Sequence, residues 1–276
     1  MVHLLVTGAS GYVGGAVARC ALHAGHRVTG TYHRSPGDIP GVAWSRLDIR
    51  DRAAVAALVA GAGVEAVVHT AVSADLDDWA SIADGAANVA VAAASNGLRL
   101  VHLSSDAVFS GRRAPYDESA LPEPVNRYGA AKAAAETVVR AVDPSAVVAR
   151  TSLVLGDGGS KHERFSLDLA RGRAEGVLFA DEVRSAVHPH DLAAALLELA
   201  VGDFAGVIHL GGADALDRHT IGCLIAVGEG LDPAEVPAGK GSEAGVPRAP
   251  DTTLNSGLAA RTLHTRLRGA REFLGE

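Results

Sequence analysis

A doubly wound α/β fold is what this sequence predicts, on three observations. Short β-branched runs alternate with alanine-rich helical stretches through the first half of the chain. Those runs are continuously apolar rather than alternating, as suits parallel strands buried on both faces. A glycine triplet, Gly8, Gly11 and Gly14, stands between the first such run and the first helical stretch.

Taken in order, "VHLLVTG", "HRVTGTY", "EAVVHTA" and "RLVHLSS" read as strands. The segments "GGAVARCALHAG", "RAAVAALVAG" and "ANVAVAAASNG" lie between them, each with helical periodicity and a closing glycine. A further helix spans "RYGAAKAAAE", and the strand "AVVARTSLVLG" follows it. After Gly156 the pattern changes to a glycine-rich loop, "GDGGSKHERF", then a helix and the short strand "GVLFA". The helix "HDLAAALLELA" and strand "GVIHLGG" return to the main sheet, and the tail from Asp214 is rich in Pro, Gly and Ala. This order predicts a dinucleotide-binding Rossmann domain over 1–152, rejoined by 188–211. The segments 153–187 and 212–276 are expected to form a small substrate-binding lobe.

Composition narrows the function. Hydrophobic residues make up 48% of the 276 and aromatics only 4%, so the core rests on Ala, Val and Leu. The net charge of -7, with no long Lys/Arg run, argues against nucleic acid or an anionic membrane as partner. Cys20 and Cys223 are too few for a disulfide framework or a cysteine metal site and read as small core residues. The start "MVHLLVTGASG" lacks the pattern of a signal peptide, and "LAAALLELAV" is too short to span a bilayer. A reducing, cytoplasmic location is the expectation.

The glycine triplet marks the phosphate end of a dinucleotide site. Glycines there allow a tight turn and close backbone approach, and the helix start offers N–H groups and positive dipole to a pyrophosphate. The second strand ends "TYHRS" with no acid for ribose hydroxyls. Arg34, helped by His33 and Ser10, can instead neutralise a 2′-phosphate, so NADP(H) is expected over NAD. Asp48, at the end of the next strand, suits either the adenine amino group or a helix cap.

The chemical end lies elsewhere. "LVHLSSDAVFSG" puts Ser104, Ser105 and Asp106 at the carboxyl end of a central strand, the edge where such sheets bind ligands. Tyr128 and Lys132, four residues apart, share a helix face. Together they supply a hydroxyl donor, a phenol and an ammonium.

The set "TGASGYVG", "SSDAVFSG", "PYDES" and "PVNRYGAAKAAAE" resembles the extended short-chain dehydrogenase/reductase superfamily. Within it the chain is most similar to the dTDP-4-dehydrorhamnose reductase family, with Ser105 and Ala107 replacing that family's usual Thr and Tyr. "VRSAVHPHDLA" and "VPRAPDTTLNS" extend the likeness over the whole chain. The resemblance implies an NADPH-dependent reductase of a nucleotide-linked 4-keto sugar. Tyr128 would be the proton donor, Lys132 its tuner and the holder of the nicotinamide ribose, and Ser105 the donor to the carbonyl oxygen. Pro124 and Asn126 would fix the helix entry. The implied cofactor set is Gly8, Ser10, Gly11, Tyr12, Val13, Gly14, His33, Arg34, Asp48, Ile49, Ala71, Val72, Tyr128 and Lys132. Ser104, Asp106, Asn126 and Arg184 are the substrate candidates, and a homodimer is possible by analogy.

Related 4,6-dehydratases carry Thr-Asp-Glu where this chain has Ser105, Asp106 and Ala107. The missing second carboxylate disfavours dehydration, and Asp106 is either structural or a tuner of neighbouring hydroxyls. The resemblance also admits an epimerase, another carbonyl reductase, or a non-catalytic NADP-binding regulatory subunit like that of methionine adenosyltransferase. No metal is expected: "HPH", His188 and His190, lacks companion ligands at a known spacing. His69 and His102 read as core or site-lining groups. In "DLDDWA", Asp75, Asp77 and Asp78 suit a solvated helix start or a ligand contact. Lys161, His162 and Arg164 could meet a nucleotide diphosphate.

Overall fold

The computed structural model describes residues 1–275. In chain order its strands are β1 (His3–Thr7), β2 (Arg27–Tyr32), β3 (Val42–Arg46), β4 (Ala66–His69), β5 (Arg99–Ser105), β6 (Val147–Thr151), β7 (Leu178–Phe179), β8 (Val183–Arg184), β9 (Gly206–Leu210), β10 (Leu216–Asp217) and β11 (Ala238–Gly239). The helices are α1 (Tyr12–His23), α2 (Arg52–Gly61), α3 (Gly85–Ser95), α4 (Arg127–Val142), α5 (Lys161–Ala170), α6 (Pro189–Val201), α7 (Arg218–Gly228), α8 (Gly257–Thr262) and α9 (Ala270–Leu274). Seven strands form one sheet in the order β3-β2-β1-β4-β5-β6-β9. The strand order reverses at β1, which pairs in parallel with β2 on one side and β4 on the other. This is the doubly wound topology that the sequence predicts, with its ligand crevice expected at the switch point.

The chain divides into two compact units. The first comprises Met1–Ser105, Arg127–Arg150 and Leu192–Ile208; the second comprises Asp106–Asn126, Thr151–Asp191 and His209–Glu276. The sequence division kept 106–126 with the dinucleotide-binding domain. In the structure this segment is tied to the tail instead: Tyr116 N–H donates to Thr253 O (2.8 Å), Asn255 N–H donates to Tyr116 O (2.7 Å), and Phe109 stacks on Tyr116 with ring centroids 4.0 Å apart. The two hydrogen bonds join residues more than 130 positions apart, which no local pattern announces.

In the first unit, Leu5, Val67, Leu100 and Val148 from four strands share a core with Val55 and Val59 of α2, Val89 and Ala93 of α3, and Val139 of α4. Alanine on the packed faces of α3 and α4 lets those helices approach the sheet closely. In the second unit, Leu155, Leu216, Ile221 and Ile225 form one cluster and Leu169, Leu178, Ala226 and Val236 another. Its sheets are small: β10 pairs antiparallel with β8, and β11 parallel with β7. The loop expected over "GDGGSKHERF" ends sooner than predicted. Ser160 and Glu163 form a capping box that starts α5 at Lys161.

Cys20 and Cys223 are free thiols and only partly buried, and Cys223 packs at the edge of the Leu169, Leu178, Ala226 and Val236 cluster. Among the described residues no helix is long and apolar enough to cross a membrane. Leu5 is fully buried in β1, between β2 and β4. Leu5→Ala should cost about 2–5 kcal/mol, read as a lowered urea midpoint of unfolding.

Candidate active site

Gly8 takes a left-handed backbone (φ 73°), and a Cβ on it would lie 2.7 Å from Ala71 Cα. A Cβ on Gly14 would run into the carbonyl oxygen of Gly8 and come within 2.6 Å of Thr70 Oγ1. The turn therefore packs against the end of β4 only because both residues lack side chains. Gly11 N–H donates to Gly8 O (2.9 Å), and Thr31 Oγ1 accepts from Gly8 N–H (3.0 Å). Gly11 caps α1 with no side-chain hydrogen bond, and the first turn of α1 carries no acid. The first turn of α1 thus sets no carboxylate of its own against the helix dipole, and the glycine cradle fits a pyrophosphate. Ser10 is exposed at this turn, Tyr12 and Val13 begin the helix, and Val72 is exposed beyond β4.

At the ends of β2 and β3, His33 and Arg34 are exposed. Asp48 does not cap the following helix; Asp51 does, accepting from Ala53 and Ala54 N–H (3.0 Å each). Asp48 is instead gripped by Arg50 through Nη2 (2.7 Å) and Nε (2.9 Å), with His33 Nε2 at 3.6 Å. The Arg50 hydrogen bonds hold its carboxyl down at about 2. Ile49 is buried in the core, so its side chain is not open to a ligand.

The chemical end is built by β5 and α4. Lys132 is buried, and its ammonium donates to Leu103 O at 2.9 Å, two residues before Ser105. Burial lowers its pKa to about 8, and Glu136 opposes that shift. One turn earlier on α4, Tyr128 is half-buried against Ile82, Ala83 and Ala131. The helix thus sets phenol and ammonium on one face, beside the strand end that carries Ser105. Ser104 is not available to a substrate: it is buried and donates to Glu136 Oε1 (2.6 Å). Arg150 meets the same carboxylate through Nη2 to Oε2 (2.7 Å) and Nε to Oε1 (3.0 Å). Below this lie two buried imidazoles. His69 Nδ1 is 2.6 Å from Thr7 Oγ1, and its ring stacks on that of His102 at 5.2 Å. Neither nitrogen of His102 has a hydrogen-bond partner. Burial is the main force pushing both well below the usual histidine range, His69 to about 3.

In the second unit, Asp106, Ala107, Asn126 and Arg184 line one small cavity of about 120 Å³ with Glu182 and Arg248. Asp106 Oδ2 accepts from Ser152 Oγ (2.7 Å) and Thr252 Oγ1 (2.9 Å), and Arg184 Nε lies 3.9 Å away. Arg184 and Arg248 both pair with the buried Glu182, and Arg248 also lies over the Phe179 ring at 4.6 Å. Glu182 and Arg248 were not singled out by the sequence reading. His162 Nδ1 is 3.3 Å from Arg218 Nη2, and burial holds its pKa near 4. Lys161 and Arg164 are exposed. In "DLDDWA", Asp78 caps Ser81 N–H (3.1 Å) and Asp75 accepts from Asp77 N–H (2.9 Å), which is the helix-start role. His188 accepts from His190 N–H (3.2 Å), and among the described residues no group of three or more His, Cys, Asp or Glu could hold a metal ion.

The model of the RmlD substrate binding domain family matches residues 2–275. The chain belongs to that family. It is 33% identical to a dTDP-4-dehydrorhamnose reductase of Mycolicibacterium smegmatis, over 98% of this chain and 83% of the relative. It is 28% identical to the methionine adenosyltransferase 2 subunit beta of Xenopus laevis, over 80% of this chain and 70% of that one. Among solved structures, a hypothetical dTDP-4-dehydrorhamnose reductase from Sulfolobus tokodaii superposes with a TM-score of 0.82 at 26% identity, covering 95% of each chain. The Bacillus anthracis dTDP-4-dehydrorhamnose reductase in complex with NADP shares the fold, with a TM-score of 0.83 at 23% identity over 99% of this chain and 97% of that one.

The buried histidines give this family member a predictable acid sensitivity. An unfolded chain protonates His69 and His102 near pH 6.5, whereas the native state keeps His69 neutral down to about pH 3 and His102 well below its usual range. Below pH 6.5 the unfolded state therefore binds more protons, so stability is full above that pH and falls as pH drops toward 3. Thermal melts from pH 7 to 4 should show this decline, and His102→Phe should flatten it.

Proposed function

We propose that this chain is an NADPH-dependent reductase of a nucleotide-linked 4-keto sugar. One observation carries the reading: α4 presents Tyr128 and Lys132 on one face, with the ammonium fixed to Leu103 O beside Ser105. The match to the RmlD family and the reductase names of its relatives support the substrate class.

The glycine cradle of Gly8, Gly11 and Gly14 and the start of α1 would hold the pyrophosphate of NADP(H). Ser10, His33 and Arg34 would take its 2′-phosphate, and Asp48 its adenine. Lys132 would hold the nicotinamide ribose, with Ala71 and Val72 alongside. When bound, NADPH supplies hydride to the carbonyl carbon. As charge grows on the carbonyl oxygen, Tyr128 donates its phenolic proton there and Ser105 donates a hydrogen bond. A free phenol, with a pKa near 10, is a weak acid at neutral pH, and a charged Lys132 stabilises its phenolate. With its own pKa at about 8, Lys132 is mainly protonated at pH 7. Asn126 and Arg184 would meet the nucleotide sugar in the cavity of the second unit, where Arg184 and Arg248 offer cationic groups.

Purified protein mixed with NADPH and a panel of dTDP-4-keto sugars should oxidise NADPH on at least one. Tyr128→Phe should lower kcat by about 100-fold or more on that substrate. Parental rates in that variant would remove the mechanism. Tight NADPH binding without turnover on any substrate would favour the regulatory reading, to which the Xenopus relative lends support. Arg34→Ala should weaken NADPH binding by about 10- to 100-fold while leaving NADH nearly unchanged, read by fluorescence titration.

A further inference from the structure

Tyr128, Lys132 and Glu136 recur at every fourth position of α4 and so share one helix face. The last of them has no part in the chemistry proposed above, yet it is buried in an ion pair. Glu136 is 2% exposed and Arg150 is 2% exposed, and the pair is joined by two short contacts. Ser104 adds a further bond from β5. Such a pair is costly to bury, and apolar side chains of similar volume would serve stability as well or better. Stability alone therefore does not account for it.

The contacts fall in a regular order along β5. Leu103 O receives the Lys132 ammonium, Ser104 donates to Glu136, and Ser105 is the next residue. Arg150 fastens the same carboxylate to β6. The helix is thus keyed to two strands at one level, directly behind the phenol and the ammonium. We propose that the Ser104–Glu136–Arg150 cluster is a positioning device that sets the register of α4 on β5 and supplies the counter-charge behind Lys132. This inference rests on the reading of Tyr128 and Lys132 as proton donor and tuner.

Every charged group facing Lys132 bears on it. On its own helix stands Glu136, which favours the ammonium. β4 and β5 present His69 and His102, both neutral, and Arg150 of β6 is engaged by Glu136 in an ion pair. The segment of α3 that packs on α4 has no ionisable side chain, and Asp84 just before it is exposed. Removing Glu136 therefore withdraws the negative charge on which the buried ammonium depends. Lys132 would lose its proton at a lower pH, and the Tyr128 phenolate would lose its stabilising cation.

Three variants test this: Glu136→Gln, Glu136→Asp and the double variant Glu136→Leu with Arg150→Met. The double variant should melt at or above the parental temperature, which separates positioning from folding. Gln and the double variant should lower kcat by about 10- to 100-fold on the best dTDP-4-keto sugar, with KM changed less than about twofold. Both should also move the tyrosinate absorbance of Tyr128, isolated as parent minus Tyr128→Phe, to higher pH. Glu136→Asp keeps the charge and should restore the parental titration. A double variant with parental kcat and an unmoved tyrosinate titration would overturn the inference. If Tyr128→Phe itself turned over normally, the proton-donor reading would fall, while the titration would still decide whether the cluster acts on that face of α4.

Discussion

A buried ion pair between Glu136 and Arg150 joins α4 to β6 within the first unit. Two charges removed from water are tolerated only when each is fully answered by hydrogen bonds. Arg150 and Ser104 both answer Glu136. The pair therefore admits one placement of the helix against the strands, whereas alanine faces alone would allow sliding. Small side chains bring α4 close to the sheet, and the charges fix where along the sheet it stops. Proximity and register come from different parts of the same helix.

The same low dielectric acts on Lys132. Its ammonium is buried, bonded to one carbonyl and balanced by the carboxylate one turn on. Burial alone would drive the proton off, and the carboxylate limits that loss. The resulting value, about 8, keeps the ammonium mainly charged at neutral pH, where it can stabilise an ionised phenol. Beneath it, His69 and His102 contribute bulk without charge. A protonated imidazole there would repel the ammonium, so their depressed pKa values and the charged state of Lys132 support each other.

Much of this was legible in the sequence because it is local. The glycine triplet, the alternating strands and the Tyr128–Lys132 spacing each sit within a dozen residues and carry a fixed geometric meaning. The capping box of Ser160 and Glu163 is equally local, but the glycines before it mimic a loop and mask the helix start. Other features depend on partners far apart. Ser104 looked like a substrate group until β5 and α4 met and Glu136 claimed its hydroxyl. Asp48 offered two readings, adenine contact or helix cap; Asp51 takes the cap and Arg50 holds Asp48. The assignment of 106–126 to the second unit depends on Tyr116 pairing with the tail, at a separation that no periodicity encodes.

Asp106 shows how a resemblance is sharpened by geometry. In the related dehydratases the acid at this position works with a second carboxylate, and here Ala107 stands where that second one would be. The structure accounts for what remains. One oxygen of Asp106 takes hydroxyl bonds from both Ser152 and Thr252, with a guanidinium close by. Those bonds tie three segments of the second unit together: the 106–126 stretch, the residue after β6 and the tail. A carboxylate so engaged is held in place by its neighbours and has a structural task of its own. Elimination of water needs an acid and a base free to exchange protons with the sugar, whereas carbonyl reduction needs one proton donor, which Tyr128 can supply. The side chains at 105–107 therefore suit reduction better than dehydration, on the chemistry of the groups present.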